Sequence, residues 1–237
     1  MTVGRLDSLI DANKAKYIFW ERDMRWLNSL LNEHDISCFL IQKGENPDIV
    51  VAAIHHAPTG IKELPCDRHK VSDEAVGQIA LIAARRLRCT YIVASNYFLD
   101  LNKPDPYVEK EVEQTDYKNW LSHNKPLVLV EIHGHNGNSA KYDIEISSGE
   151  QREKHALEFA KKLEKRMSRC QFKRGYTISG DYKSIYFKAS KAVTINTTSW
   201  LAFHIELCPD LRTDKSEAQR IARCIAYMVR DIYATLD

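Results

Sequence analysis

The chain has 237 residues, 44% of them hydrophobic and 28% charged, which suits a single globular α/β domain spanning 1–237 that buries a core without disulfides. Its net charge of +2 gives no general attraction to nucleic acid or to an acidic membrane surface. No apolar stretch reaches the about 20 residues of a membrane span, and the N-terminal residues lack the apolar core of an export signal, so a cytoplasmic location is expected.

Residues 5–33 read as a helix, with Leu27, Leu30 and Leu31 on one face. Ile36 to Ile41 reads as a strand, and Gly44-Glu-Asn-Pro47 as a turn into the run Ile49 to Ile54, a pair able to form a hairpin. That second run is short, apolar and partly β-branched, the pattern of a strand buried on both faces. It ends on two imidazoles, His55 and His56, and Pro58 and Gly60 follow. Ligands of open α/β sheets bind at the carboxyl ends of strands, so this end is a candidate site.

Ser72 precedes Asp73 and Glu74, and apolar residues recur at Val76, Ile79, Ala80, Ala83 and Leu87. The pattern predicts an N-capped amphipathic helix with both carboxylates in its first turn. Either they answer the helix dipole, or Asp73 faces the site opened by His56. Tyr91 to Ala94 is a further strand, followed by a polar loop through Asp100-Leu-Asn-Lys103, and a short helix is expected within 105–124.

Pro126 to His135 repeats the earlier design: an apolar run carrying Glu131 and His133, with His135 two residues on. Two buried strands ending in histidine suggest a metal site, although polar residues at strand ends also serve plain structural roles. Ala156, Phe159, Ala160, Leu163 and Met167 mark another helix, whose basic outer face is read as solvated surface. Leu201 to Cys208 is the last strand, with His204 and Glu206 on one face. Ser216-Glu-Ala-Gln219 reads as the capping box of a final helix. The alternation of strands and helices predicts a layered α/β fold with a mixed, mostly parallel sheet. The six cysteines form no Cys-x-x-Cys pair, so a metal is left to histidines and carboxylates.

In chain order, His55-His56-Ala57-Pro58, Asp73, Asp100-Leu-Asn-Lys103, Glu131-Ile-His133 and His204-Ile-Glu-Leu207 resemble the motifs of the N-formylglutamate amidohydrolase family, a branch of the zinc carboxypeptidase-like hydrolases. The resemblance spans about 48–212 but rests on a handful of positions. It implies a carboxypeptidase-like fold and a single zinc ion per chain held by His56, Asp73 and His133, with the residues themselves leaving His55 and His56 as alternatives. It further implies Glu206 as the base that takes a proton from water, and Asn102 and Lys103 as substrate contacts. His55 and His135 stand as orienting or substrate-binding groups. The expected substrate is a small N-acyl amino acid or a peptide bearing a carboxylate, with no nucleic-acid or membrane partner. Asn96 and Lys103 stand where that family has arginines, and a lysine offers one point charge where arginine offers a two-pronged fork.

Two other classes fit parts of the chain. A serine-nucleophile hydrolase would need a Gly-x-Ser-x-Gly elbow, which is absent. A non-catalytic protein could keep the hydrolase fold and bind a ligand or partner.

Overall fold

The computed structural model describes residues 38–57, 73–95 and 116–236. The helix expected over 5–33 and the candidate contacts Asn96, Asn102 and Lys103 lie outside the described residues. The strands are β1 (Cys38–Gln42), β2 (Asn46–Ala53), β5 (Cys89–Ser95), β6 (Val128–Gly134), β7 (Ile144–Ser147), β8 (Ile178–Ser179) and β9 (Leu201–Leu207). They form a sheet in the order β1-β5-β2-β6-β9-β7-β8. Its centre, β5-β2-β6-β9, is parallel throughout, while β1 against β5 and β7 against β9 are antiparallel. Two short strands, β3 (His56–Ala57) and β4 (Asp73–Glu74), pair only with each other, in parallel.

Alternation along the central strands decides which side each residue faces. Val51, Val130, Ile132, Phe203 and Ile205 pack on one face beneath α1 (Val76–Leu87), α3 (Glu153–Met167) and α5 (Lys215–Tyr233). Phe159 of α3 and Phe203 of β9 meet there, fully buried, with ring centroids 4.7 Å apart. Each such ring contributes roughly 1.5–3 kcal/mol by leaving water. The other face carries Val50, Ala52, Leu129 and Ala202 under α2 (Asp116–Asn124) and the segment 189–200. That second face also carries Glu131, His133, His204 and Glu206, so β6 and β9 are apolar on one side and chemical on the other.

Three local expectations are corrected. β1 and β2 form no hairpin; β5 lies between them. The chain after β1 crosses the start of β5 so closely that a Cβ on Gly44 would lie 2.3 Å from the Cys89 carbonyl. β2, buried on both faces, then takes parallel neighbours on both edges. Secondly, Asp73 and Glu74 stand outside the first turn of α1. They are extended, with the Asp73 amide donating to the His55 carbonyl and the Ala75 amide to the Ala57 carbonyl. The helix begins at Val76, after Ala75 turns the backbone at φ 64°. Thirdly, α5 is capped by Asp214, whose carboxylate accepts from the Ser216 and Glu217 amides. Ser216 falls inside the first turn and donates its hydroxyl to that same carboxylate.

Candidate metal centre

β2 ends at Ala53, and the turn that follows delivers His55 beside Asp73 of β4 and His133 of β6. Asp73 Oδ2 lies 2.9 Å from His133 Nδ1 and 3.5 Å from His55 Nδ1. One donor atom from each of the three falls within 4.8 Å of the others. A tetrahedral zinc with bonds of about 2.0–2.1 Å holds its ligand atoms about 3.3 Å apart, between those two separations. The donor set is two imidazoles and one carboxylate, the ordinary complement of a catalytic zinc site with a position left open.

His56 does not join this cluster. Its Nδ1 accepts from the Gly77 amide at 3.1 Å, so the imidazole caps α1, which has no other side-chain cap at its start. Burial pushes its pKa down to about 4 against the pull of Asp73, which keeps the ring neutral. A Cβ on Gly77 would sit 2.8 Å from the ring, so glycine is what lets His56 reach the helix. Of the two adjacent histidines, it is thus His55 and not the expected His56 that the structure brings together with Asp73 and His133. The turn at 54–55 sends the His55 ring toward Asp73, while His56, already in β3, gives its Nδ1 to α1 and keeps a buried Nε2 with no partner among the described residues.

His133 is held at both nitrogens. Its Nε2 lies 3.4 Å from Glu131 Oε2, and Glu131 in turn accepts from the Tyr117 hydroxyl at 2.8 Å and the Thr194 hydroxyl at 2.6 Å. Burial opposes charge on His133, but hydrogen bonds to Asp73 and Glu131 overcome it and raise its pKa to about 10. Burial likewise opposes charge on Asp73, yet its bonds to His133 and His55 hold it well below the usual carboxylate range. The proton on His133, pinned between two carboxylates, thus stands where positive charge is wanted.

Glu206 lies directly opposite His133 in the β6–β9 register, with Glu145 of β7 on its other side. Its Oε1 is 3.5 Å from His204 Nε2, while Oε2 is buried with no hydrogen-bond partner among the described residues. Burial, then the charge of Asp73, raises its pKa to about 8. His204 stacks on His133 at 4.3 Å, and burial followed by the His133 charge lowers its pKa to about 3. His133, His204 and Glu206 form a second group of converging donors that shares His133 with the first.

The cluster opens into a cavity of about 450 Å³. Its far wall is the segment 186–192, which brings Phe187, Lys188 and Lys191. Buried polar residues of β7 fix that wall. Glu145 accepts from the Tyr186 and Phe187 amides, and Ser147 donates to the Lys188 carbonyl. His135 lines the cavity but spends both ring nitrogens on backbone: Nδ1 accepts from the Gly137 amide, and Nε2 meets the Asp143 carbonyl at 3.2 Å. Of the two roles expected for it, orienting group or substrate contact, these bonds show His135 anchoring the loop at the cavity edge. Glu145 and Thr194 escaped sequence reading. The alternation Ile144-Glu-Ile-Ser147 does carry a signal for Glu145, a carboxylate aimed at the polar face of the sheet.

No protein-family model matches the chain, and no curated protein matches it. Solved structures do. Gene product Atu2144 from Agrobacterium tumefaciens is 13% identical, with 86% of this chain and 98% of that one covered and a TM-score of 0.53. A bacteriophage poly-gamma-glutamate hydrolase is 12% identical over 88% of this chain and 97% of that one, with a TM-score of 0.51. An N-acetylmuramoyl-L-alanine amidase from Clostridium difficile 630 is 15% identical over 80% and 98%, with a TM-score of 0.46. The first two share this fold.

Proposed function

We propose that the protein is a zinc-dependent amidohydrolase that cleaves an amide bond in a small N-acyl amino acid or a carboxylate-bearing peptide. The observation that carries this reading is the convergence of His55, Asp73 and His133 at the edge of a cavity that Glu206 also lines. Bound there, a zinc ion supplies acidity to a water molecule and positive charge to a carbonyl oxygen. His133 presents Nδ1 to the cluster because Glu131 fixes the opposite nitrogen, the arrangement that orients a ligating imidazole. Glu206 accepts a proton on its unpartnered Oε2 and returns it to the departing amine. The positive charge that a bound zinc would add works against the burial and the Asp73 charge that raise its pKa to about 8, and so favours the ionised form that this role needs.

Lys188 and Lys191 on the facing wall support an acid-bearing substrate. So does the fold shared with the bacteriophage hydrolase, whose named substrate is an amide-linked polymer of an acidic residue.

Glu206→Gln tests the reading. Zinc content by elemental analysis is expected to stay near one per chain, while turnover of N-acyl glutamates or poly-gamma-glutamate falls at least about 100-fold. A wild type that binds no zinc, or a Glu206→Gln variant of normal activity, overturns it.

A further inference from the structure

Arg212 lies in the short helix α4 (Pro209–Thr213), just beyond β9, and is only 4% exposed. It forms no ion pair among the described residues. Its guanidinium instead reaches three backbone carbonyls: Nε donates to Leu207 at 3.0 Å, Nη2 to His135 at 3.0 Å, and Nη1 to Glu74. Each carbonyl lies one or two residues after a group of the site, since Leu207 follows Glu206, His135 follows His133 by two, and Glu74 follows Asp73.

The third link matters most. β6 and β9 are already held in register by their own ladder, and the His135 amide donates to the Leu207 carbonyl. β4 is outside that sheet and pairs only with β3. Beyond the Asp73–His133 contact and the backbone bonds to 55–57, the Arg212 side chain ties it to the ends of the strands that carry His133 and Glu206. A planar fork of five donors can span three carbonyls, whereas a lysine ammonium cannot hold the same spread. Gly134 makes room for it, because a Cβ there would lie 2.5 Å from the guanidinium carbon.

Resting on the metal-site reading above, we infer that Arg212 is a positioning residue: it sets the separation of Asp73 from His133 and Glu206, and so the affinity of the site for its cation.

The sign of the effect separates positioning from charge. A buried cation near a metal site repels the metal, so if Arg212 acted only as a charge, its removal would tighten binding. If it positions the ligands, removal weakens binding.

The experiment is a zinc competition titration on the full metal-free chain, with thermal melting in parallel. It compares wild type, Arg212→Met, Arg212→Lys and a remote destabilised control, Val229→Ala in α5. Arg212→Met is expected to weaken zinc about 10–100-fold, the usual cost of losing a group that orients ligands, and Arg212→Lys less. Val229→Ala is expected to keep wild-type affinity despite a lower melting temperature. Unchanged or tighter binding in Arg212→Met overturns the inference, as does equal weakening in Val229→Ala. Unfolding of both metal-free Arg212 variants overturns it too, since Arg212 would then serve folding itself. A wild type that takes up no zinc overturns the metal-site reading along with it, whereas equal affinities in proteins that all bind zinc overturn only the role of Arg212.

Discussion

His133 Nδ1 lies 2.9 Å from Asp73 Oδ2, joining the centre of the main sheet to a two-residue strand sixty positions earlier. The imidazole can make that contact in one orientation only, because Glu131 stands at its other nitrogen and is itself held by Tyr117 and Thr194. Glu131→Gln is therefore expected to weaken zinc about 10–100-fold. It also replaces a buried carboxylate that accepts two hydroxyl bonds and holds the His133 charge. Breaking such a pair costs about 3–5 kcal/mol, readable by urea unfolding of the metal-free protein. Wild-type zinc affinity in Glu131→Gln would show that the orientation of His133 is set elsewhere.

The two adjacent histidines separate cleanly. His55→Ala is expected to abolish tight zinc binding while changing metal-free stability little, since His55 contributes to the cluster and not to a helix end. His56→Ala removes the acceptor for the Gly77 amide and leaves a cavity under α1. Its expected cost is about 2 kcal/mol in unfolding free energy, from a lost cap and lost packing. Zinc titration and chemical denaturation of both variants decide the matter, and the opposite pattern would make His56 rather than His55 the ligand.

Why the sequence points to the pair but not to the member that stands beside Asp73 and His133 is a matter of range. The apolar runs of β2, β6 and β9 are legible because burial on both faces leaves a compositional mark, and the polar residues that interrupt β6 and β9 stand out against it. Which histidine faces the cluster depends on where α1 starts, and that is settled by backbone pairing between 56–57 and 73–74. Ser72, Asp73 and Glu74 look like a helix start because local preference is all a sequence shows. Tertiary pairing overrides it and puts Asp73 in extended chain. The hairpin expectation fails for the same reason: a turn at Gly44 says that the chain reverses but not which strand it lands beside. Arg212 leaves no sequence signal at all, since an arginine after a strand is ordinarily exposed.

Lys191 faces the cavity from a wall braced by Glu145 and is itself exposed. If it meets a substrate carboxylate, Lys191→Ala is expected to raise KM about 5-fold with kcat nearly unchanged, the signature of lost uniform binding by a solvent-screened charge. A fall in kcat at constant KM would place Lys191 in the reaction rather than in substrate capture. Steady-state kinetics on an acid substrate and its neutral amide make the comparison, since the neutral analogue should be indifferent to the change.

Acid should loosen the rim of the site through Asp143. Its carboxylate takes hydrogen bonds from Arg174, from the Thr177 amide and from the Thr177 hydroxyl, and its backbone carbonyl meets His135. Burial opposes its charge, but the Arg174 bond and then those from Thr177 win and hold the pKa down to about 2. A carboxyl whose folded pKa is depressed binds its proton more readily in the unfolded chain, so it stabilises the fold above the ordinary value of about 3.9. That stabilisation drains away as pH falls through the window from about 4 to about 2. Arg174 is largely exposed, so solvent screens the pair and the contribution is on the order of 1 kcal/mol. Urea midpoints of wild type and Asp143→Asn are therefore expected to differ at pH 7 and to converge toward pH 2. A gap that stays constant from pH 7 to pH 2 would mean that ionisation of Asp143 contributes nothing to the fold.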